Sequence, residues 1–287
     1  MSRKLVSFDW AMKKILRQKA NFGILEGFLS ELFKFDVQIE EILESEANQE
    51  TKDDKFNRVD LLAKNENGEL ILIEVQYNDE IDYFQRILYG TSKLITEYIS
   101  KGKGYTKVKK VYSVNIVYFE IGQGDDYVYY GKTEFIGLHN NDKLIPSDDQ
   151  KDKFSINAIS DIYPQYYILR VNQFNDIAKN SLDEWIYFLK NEEIKTDFKA
   201  KGLSEAKEVL RVLKLDEVER AKYERREENK RYKESLFYTA EIKGEKRGME
   251  KREIEIAKNL LLAKVDIEII IQTTGLSREE IKSLRTS

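Results

Sequence analysis

The sequence predicts an α/β domain built on a mixed β-sheet with flanking helices, followed by an α-helical C-terminal extension. Three observations support this prediction. Apolar residues recur at helical spacing on both sides of a clear β-hairpin, further segments look like buried strands, and the last third of the chain is charged and helical. Helices that alternate with largely buried strands favour a mixed sheet covered by helices.

The composition bounds the architecture and excludes several kinds of site. The chain has 287 residues, of which 41% are hydrophobic, enough for one large domain with an appendage. It has no cysteine, which excludes disulfides and cysteine-based zinc sites. The single histidine, His139, has no nucleophile-elbow motif with it, so a Ser-His-Asp hydrolase is disfavoured.

The distribution of apolar and charged residues bears on location and partners. No segment has the length of a signal peptide or of the ~20 apolar residues that cross a bilayer. We therefore expect a cytoplasmic protein without a membrane partner. The formal net charge of −4 does not indicate a nucleic-acid coat, but it is compatible with an enzyme that gathers cations at an acidic site.

The first elements follow from the spacing of apolar residues. Residues 8 to about 34 contain two apolar sets at helical spacing and are predicted to be helical; Asp9 is either the N-cap of the first helix or a third acidic group for a site further along. Residues 35–43 alternate and predict a strand, whereas residues 44–57 are polar and predict a loop.

The clearest local pattern is a β-hairpin over residues 58–76. Two apolar runs flank Asn67-Gly68, a strong turn dipeptide. A turn centred on Asn67 places Asp60 opposite Glu74, give or take one residue. A helix follows, and its predicted buried stripe is Ile81, Phe84, Leu88, Ile95 and Tyr98. Its predicted polar face is Asp82, Gln85, Arg86, Tyr89 and Lys93.

Further strands are expected in 109–119, 125–140 and 165–174, and helices dominate from residue 182 onward. The end of the chain contains two amphipathic stretches joined near Gly275, with a capping box at Ser277 and Glu280, which fits a helix-turn-helix. We predict three regions: an α/β domain over 1–200, a charged helical linker over 201–250 and a small helical module over 251–287.

Asp60, Glu74 and Gln76 form the constellation that carries chemistry. Strand alternation puts Glu74 and Gln76 on one face, and the hairpin brings Asp60 to them. Facing carboxylates repel unless a proton or a cation lies between them, and Mg²⁺ prefers such oxygen ligands. Glu74 also interrupts the apolar run LILIEVQY, where an unpaired charge is costly. The alternative is an ordinary pair of solvent-facing carboxylates.

These residues also resemble a known family. Asp60, thirteen intervening residues and then Glu74-Val75-Gln76 resemble the PD-(D/E)XK nuclease motif, and more narrowly the PD-(D/E)XK nuclease family transposases, which are related to the recombination-promoting nucleases. Residues 8–13, 85–89 and 101–105 and the last thirty residues look like the same family. Two departures are Gln76, where the general pattern has lysine, and Val59, where it has proline.

The resemblance implies a restriction-endonuclease-like fold and a metal-dependent DNA endonuclease of mobile elements or recombination. Asp60 and Glu74 would bind Mg²⁺, with Mn²⁺ as a substitute, and Gln76 would position water or hold the phosphate. Arg86, Tyr89, Lys101 and Lys103 are candidates for binding DNA, with surface ion pairs and a solvated loop as the ordinary alternatives.

Two further hypotheses stay open. Gln76 and the acidic overall balance favour a catalytically silent DNA-binding or regulatory protein that keeps the nuclease fold. Separately, the charged helix and the C-terminal module are candidates for self-association into a homo-oligomer.

Overall fold

The computed structural model describes residues 5–43, 60–98, 105, 108–211 and 215–284. The chain divides into two compact units, Met1–Asp216 and Glu217–Ser287. The first contains the whole β-sheet, and the second contains helices.

The N-terminal segment is helical, as predicted, and forms two helices. Helix α1 spans Phe8–Lys14, a 3₁₀ turn spans Lys19–Asn21, and α2 spans Phe22–Phe33. The polar run between Leu16 and Phe22 interrupts the apolar repeat and separates the two helices. The Asn21 side chain donates to the backbone carbonyl of Ile15 at 2.9 Å, which stabilises the break.

The predicted mixed sheet is confirmed, and the described residues give it six strands in the order β1-β2-β3-β4-β6-β5. Neighbours β1-β2, β2-β3 and β5-β6 are antiparallel, whereas β3-β4 and β4-β6 are parallel. Strand β3 therefore has one antiparallel and one parallel neighbour. The strands span Ile39–Leu43, Leu61–Asn65, Leu70–Gln76, Val111–Val117, Val128–Gly131 and Gln165–Arg170, from β1 to β6.

The hairpin of β2 and β3 has the predicted register. Leu61 pairs with Ile73, and Gly68 in the turn has a φ of 71°, a left-handed conformation that suits glycine. Continued by one residue, this register sets Asp60 opposite Glu74. The predicted loop over 44–57 lies outside the described residues.

Helix α3, Tyr83–Tyr98, covers the β3 face that bears Leu70, Leu72 and Glu74. Leu94 packs with Leu70 and Leu72. Most of the predicted apolar stripe is not buried: Ile81 is 102% exposed and Leu88 60%, whereas Ile95 is half-buried and packs against the cluster that contains Leu70 and Leu72. The helix is rotated so that its buried residues are Tyr83, Ile87, Thr91 and Leu94.

The rotation of α3 has a physical reason in the hydroxyl groups of its buried face. Tyr83 donates to Asn115 Oδ1 at 3.5 Å, and Thr91 donates to the Ile87 carbonyl at 2.8 Å. The helix face that contains Tyr83 and Thr91 can therefore be buried, because the hydroxyl groups of both residues have hydrogen-bond partners.

Aromatic side chains from three helices form a second part of the core. Phe8 of α1, Phe28 of α2 and Trp185 of α5 lie with ring centroids 5.4 to 6.1 Å apart. Such tilted and edge-on contacts add to the burial of apolar surface. The remaining helices of this unit are α4, Asp148–Phe154, α5, Ser181–Asn191, and α6, Leu203–Val209.

The second unit begins with the 46-residue helix α7, Glu217–Leu262, about 69 Å long at 1.5 Å per residue. Helices α8, Ile267–Thr274, and α9, Arg278–Ser283, follow, joined through Gly275 with a φ of 73°. Ile270 and Ile281 pack on Ala257. The predicted capping box at Ser277 is confirmed.

The surface of α7 bears on the predicted self-association. Several large apolar side chains there are exposed, which self-association would require, but the oligomer stays a prediction. They are Tyr232, Leu236, Phe237, Tyr238, Ile242 and Met249. Within the described residues, no helix combines the length and apolarity needed to cross a bilayer.

Gly27 of α2 provides a test of this packing. A Cβ there would lie 2.3 Å from the Lys201 carbonyl oxygen, whereas a Cβ at Gly90 of α3 meets no described atom within 4 Å. We expect Gly27→Ala to lower the free energy of unfolding by about 1–3 kcal/mol through overpacking. Gly90→Ala, the matched control, should raise it by roughly 0.5–1 kcal/mol through helix propensity. Urea denaturation measures both, and equal effects would contradict the close approach.

Candidate active site

Asp60 is held at the start of β2 by contacts with two other segments. Its Oδ2 accepts a hydrogen bond from the backbone N–H of Val75 at 2.7 Å. Its backbone carbonyl accepts one from Arg17 Nη2 at 3.1 Å. The first bond ties the Asp60 side chain to the end of β3, so the carboxylate lies beside the segment that carries Glu74.

Glu74 lies near the end of β3 and is 8% exposed. It is paired with Asn115 of β4 in the parallel register. Burial raises its pKa from 4.5 to about 7. Arg86 and, to a smaller extent, the Tyr83 hydroxyl lower the pKa, whereas Asp60 and Glu80 raise it further by repulsion.

Gln76, the last residue of β3, hydrogen-bonds to a residue that sequence analysis did not single out. Its Nε2 donates to Glu80 Oε1 at 2.5 Å and to the Asn78 carbonyl at 3.3 Å. Arg86 Nη1 lies 2.8 Å from both carboxylate oxygens of Glu80. The Glu80 carboxylate therefore joins Gln76 to Arg86.

The other predicted site residues have different positions. Tyr89 lies three residues beyond Arg86 on α3 and is 56% exposed. Lys101 and Lys103 lie outside the described residues. The structure thus brings Asp60, Glu74, Gln76 and Arg86 into one neighbourhood, with Tyr89 on the exposed surface of the same helix.

Asp9 neither caps α1 nor joins this neighbourhood. The N-cap is Ser7, whose hydroxyl donates to Asp9 Oδ1 at 2.7 Å. Tyr77 also donates to Asp9, at 3.4 Å. Among the described residues, Asp9 is not grouped with two other acidic side chains closely enough to hold a metal. Both predicted roles of Asp9 were therefore wrong.

Sequence analysis missed three polar residues of this site: Glu80, Tyr83 and Asn115. Tyr83 gave a weak signal, because it shares a helical face with Ile87 and Leu94. Asn115 also gave one, as a polar residue in the apolar strand β4. Glu80 lies in the segment between β3 and α3 and gave none.

The donor set is compatible with a divalent cation. Asp60 and Glu74 offer hard carboxylate oxygens, and their mutual repulsion is relieved by a bound proton or a cation. Among the described residues, no three acidic or imidazole side chains are grouped closely enough to hold a metal. A cation would therefore take the rest of its ligands from water, backbone or substrate. Mg²⁺ often binds through one or two carboxylates in this way.

Two family models match the sequence. The model of the PD-(D/E)XK nuclease family transposase matches residues 6–240, and that of the Rpn/YhgA-like nuclease family C-terminal HTH domain matches residues 250–286. The six-stranded mixed sheet with its helices is consistent with a restriction-endonuclease-like fold. No curated protein matches the chain, and no solved structure does.

The burial of Glu74 predicts a pH dependence of stability in metal-free buffer. Because its pKa of about 7 in the folded state exceeds the ordinary 4.5, the folded state holds the proton over this range. Stability is therefore lost as the pH rises through that interval. Relative to wild type, Glu74→Gln should become more stable by up to about 3 kcal/mol between about pH 4 and pH 8, at 1.36 kcal/mol per pKa unit.

Urea denaturation in EDTA at each pH measures this difference. Glu97→Gln, on the same helix as Tyr83 and Arg86, controls for loss of a carboxylate elsewhere. A stability difference between Glu74→Gln and wild type that does not change with pH would contradict the buried carboxylate.

Proposed function

The chain belongs to the PD-(D/E)XK nuclease family transposases, and we propose from this premise that it is a metal-dependent DNA endonuclease. The proposed reaction is hydrolysis of a phosphodiester bond. Water forms a new bond to phosphorus and gives up a proton, while the bond from phosphorus to one ester oxygen breaks and that leaving oxygen gains a proton from solvent. The proposed biological setting is that of mobile elements or recombination, and the proposed cation is Mg²⁺, with Mn²⁺ as a substitute.

One observation carries this proposal: Asp60 and Glu74 converge at the paired ends of β2 and β3. The Asp60 carboxylate is fixed by the Val75 N–H at 2.7 Å. The Glu74 carboxylate is buried, and Asp60 adds to the raised pKa. Two such groups side by side form a site in which a divalent cation offsets the repulsion.

The roles we propose follow from the chemistry of each group. Asp60 and Glu74 would hold Mg²⁺, which when bound polarises the phosphate and a bound water. Gln76 would position the water or hold the phosphate. Arg86 would contact the phosphate, because its guanidinium is a fixed positive charge with several N–H donors. Tyr89, Lys101 and Lys103 would bind the DNA backbone.

Tyr83 would hold the Glu74 carboxylate in place. Tyr83 is 1% exposed, its hydroxyl donates to Asn115 Oδ1 at 3.5 Å, and it lies near enough to Glu74 to lower the pKa of that carboxyl. A buried hydroxyl anchored on β4 would restrict the orientation of the carboxylate and would help to keep bulk water from that side of the site.

Cleavage of supercoiled plasmid in Mg²⁺, Mn²⁺ or EDTA tests the proposal. We expect metal-dependent nicking or linearisation by wild type and a loss of about 100-fold or more in Asp60→Ala and Glu74→Ala, or at least ~2.7 kcal/mol of transition-state stabilisation. Asp149→Ala, at an exposed carboxylate of α4, is the matched control and should cleave normally. Unchanged cleavage in both site variants would overturn the assignment.

A second candidate function is DNA binding without cleavage. The match of residues 250–286 to an HTH domain favours it, because DNA contact through this module does not depend on Asp60 or Glu74. Helix α9 would be the reading helix, with Arg278 and Lys282 as its basic residues.

Titration of duplex DNA with the full chain in EDTA tests this second function. If α9 contacts a phosphate through Lys282, Lys282→Ala should weaken binding and reduce the slope of log affinity against log salt by about 1. Lys151→Ala on α4 is the control. DNA binding that depends on Lys282, together with no cleavage in Mg²⁺ or Mn²⁺, would show that the protein binds DNA without cutting it. An unchanged affinity in Lys282→Ala would remove α9 as the contact.

A further inference from the structure

The carboxylate of Glu80 contacts both Gln76 and Arg86. It lies in the short segment between β3 and α3, and its side chain is 29% exposed, against 23% for Arg86. Gln76 Nε2 is 2.5 Å from Oε1, and Arg86 Nη1 is 2.8 Å from each oxygen. One anion therefore engages the two residues that the proposed function assigns to the water or the phosphate.

These contacts decide which end of the Gln76 amide is available. Its nitrogen faces the Glu80 carboxylate and the Asn78 carbonyl, at 2.5 and 3.3 Å. An ionised carboxylate and a carbonyl are both acceptors only. If the amide were rotated by 180°, its own oxygen would face two acceptors, and two hydrogen bonds would be replaced by repulsion. The carbonyl oxygen Oε1 is thus the end left for a ligand.

Arg86 keeps donor capacity in spite of its contact with Glu80. Among the described residues, its Nε is buried and has no hydrogen-bond partner. A buried donor without a partner is costly, and an incoming acceptor would satisfy it. The guanidinium carries five N–H donors, and the contacts with Glu80 use Nη1, so the partly exposed Arg86 side chain keeps donors for a phosphate that are separate from Gln76.

We propose that Glu80 is a positioning residue that fixes Gln76 as a hydrogen-bond acceptor. Gln76 Oε1 then accepts a hydrogen bond from the attacking water, and Arg86 contacts the phosphate. The amide orients this water and takes no proton from it. This inference rests on the proposed function and chooses between the two roles assigned to Gln76 there.

The Glu80→Gln variant tests the assignment, because an amide at 80 can either donate or accept and so no longer fixes Gln76. We expect kcat for plasmid cleavage to fall about 10-fold or more, with KM for DNA unchanged or lower because a negative charge is removed. Glu97→Gln on α3 is the matched control. A rise in kcat together with tighter DNA binding would overturn the inference. It would show that the Glu80 carboxylate occupies the place of the DNA phosphate beside Arg86 and Gln76 and must be displaced by it.

A double-mutant cycle separates action through Gln76 from action through Arg86. In a Gln76→Ala background, Glu80→Gln should have little further effect on kcat. A further loss of the same size in that background would show that Glu80 does not act through Gln76, and the inference would be wrong.

A readout without catalysis distinguishes failure of this inference from failure of the proposed function. In ¹⁵N NMR spectra of the full chain, the Gln76 side-chain amide protons should exchange slowly in wild type and faster in Glu80→Gln. Cleavage by wild type without this signature would overturn the inference alone. The signature without cleavage in Mg²⁺ or Mn²⁺ would overturn the proposed function.

Discussion

The Glu74 carboxylate lies beneath α3 with 8% of its surface exposed, where it has lost most of the water that would stabilise its charge. Arg86 and the Tyr83 hydroxyl compensate in part, but Asp60 and Glu80 act against them, and the pKa stays raised at about 7. Arg86 interacts with the carboxylates of both Glu74 and Glu80. The buried carboxylate therefore favours a bound proton at this end of the sheet, and under the proposed function a cation would take its place.

The sheet gives this carboxylate a fixed position. Strand β3 is antiparallel to β2 on one side and parallel to β4 on the other, and the parallel pairing continues to Gln76. Just beyond it, the Tyr118 N–H donates to the Gln76 carbonyl at 2.9 Å. The β4 edge of β3 is thus paired to its end, and on the β2 edge backbone pairing reaches Ile73 while the Val75 N–H donates to the Asp60 carboxylate, so the side chains there are positioned by a well-supported backbone. A site that must hold a reacting phosphate needs such support.

Glu80 gives the short segment between β3 and α3 a chemical role. A neutral amide at position 76 lacks the positive charge that a lysine there would bring, and a lysine at that position would meet the Glu80 carboxylate. The positive charge of this neighbourhood is instead on α3, in Arg86. Arg86 thus provides the positive charge and Gln76 the hydrogen-bond acceptor. The Glu80 carboxylate orients both side chains.

The sequence determined what depends on neighbours along the chain. The Asn67-Gly68 turn and strand alternation were enough to set the hairpin register and to place Asp60 opposite Glu74, with Gln76 on the same face. The capping box at Ser277 and Glu280 was likewise predictable, because its partners are three residues apart.

The tertiary structure decided the rotation of α3, the separation of Asp9 from the site and the part played by Glu80. The hydrophobic pattern favoured burial of Ile81, Phe84 and Leu88, yet the helix buries Tyr83 and Thr91, whose hydroxyls find partners that only packing brings near. Burial of a polar group depends on whether a partner is there, and for Tyr83 that partner, Asn115, is on β4. Local periodicity carries no information about that partner, so only the folded chain could settle which residues surround Glu74.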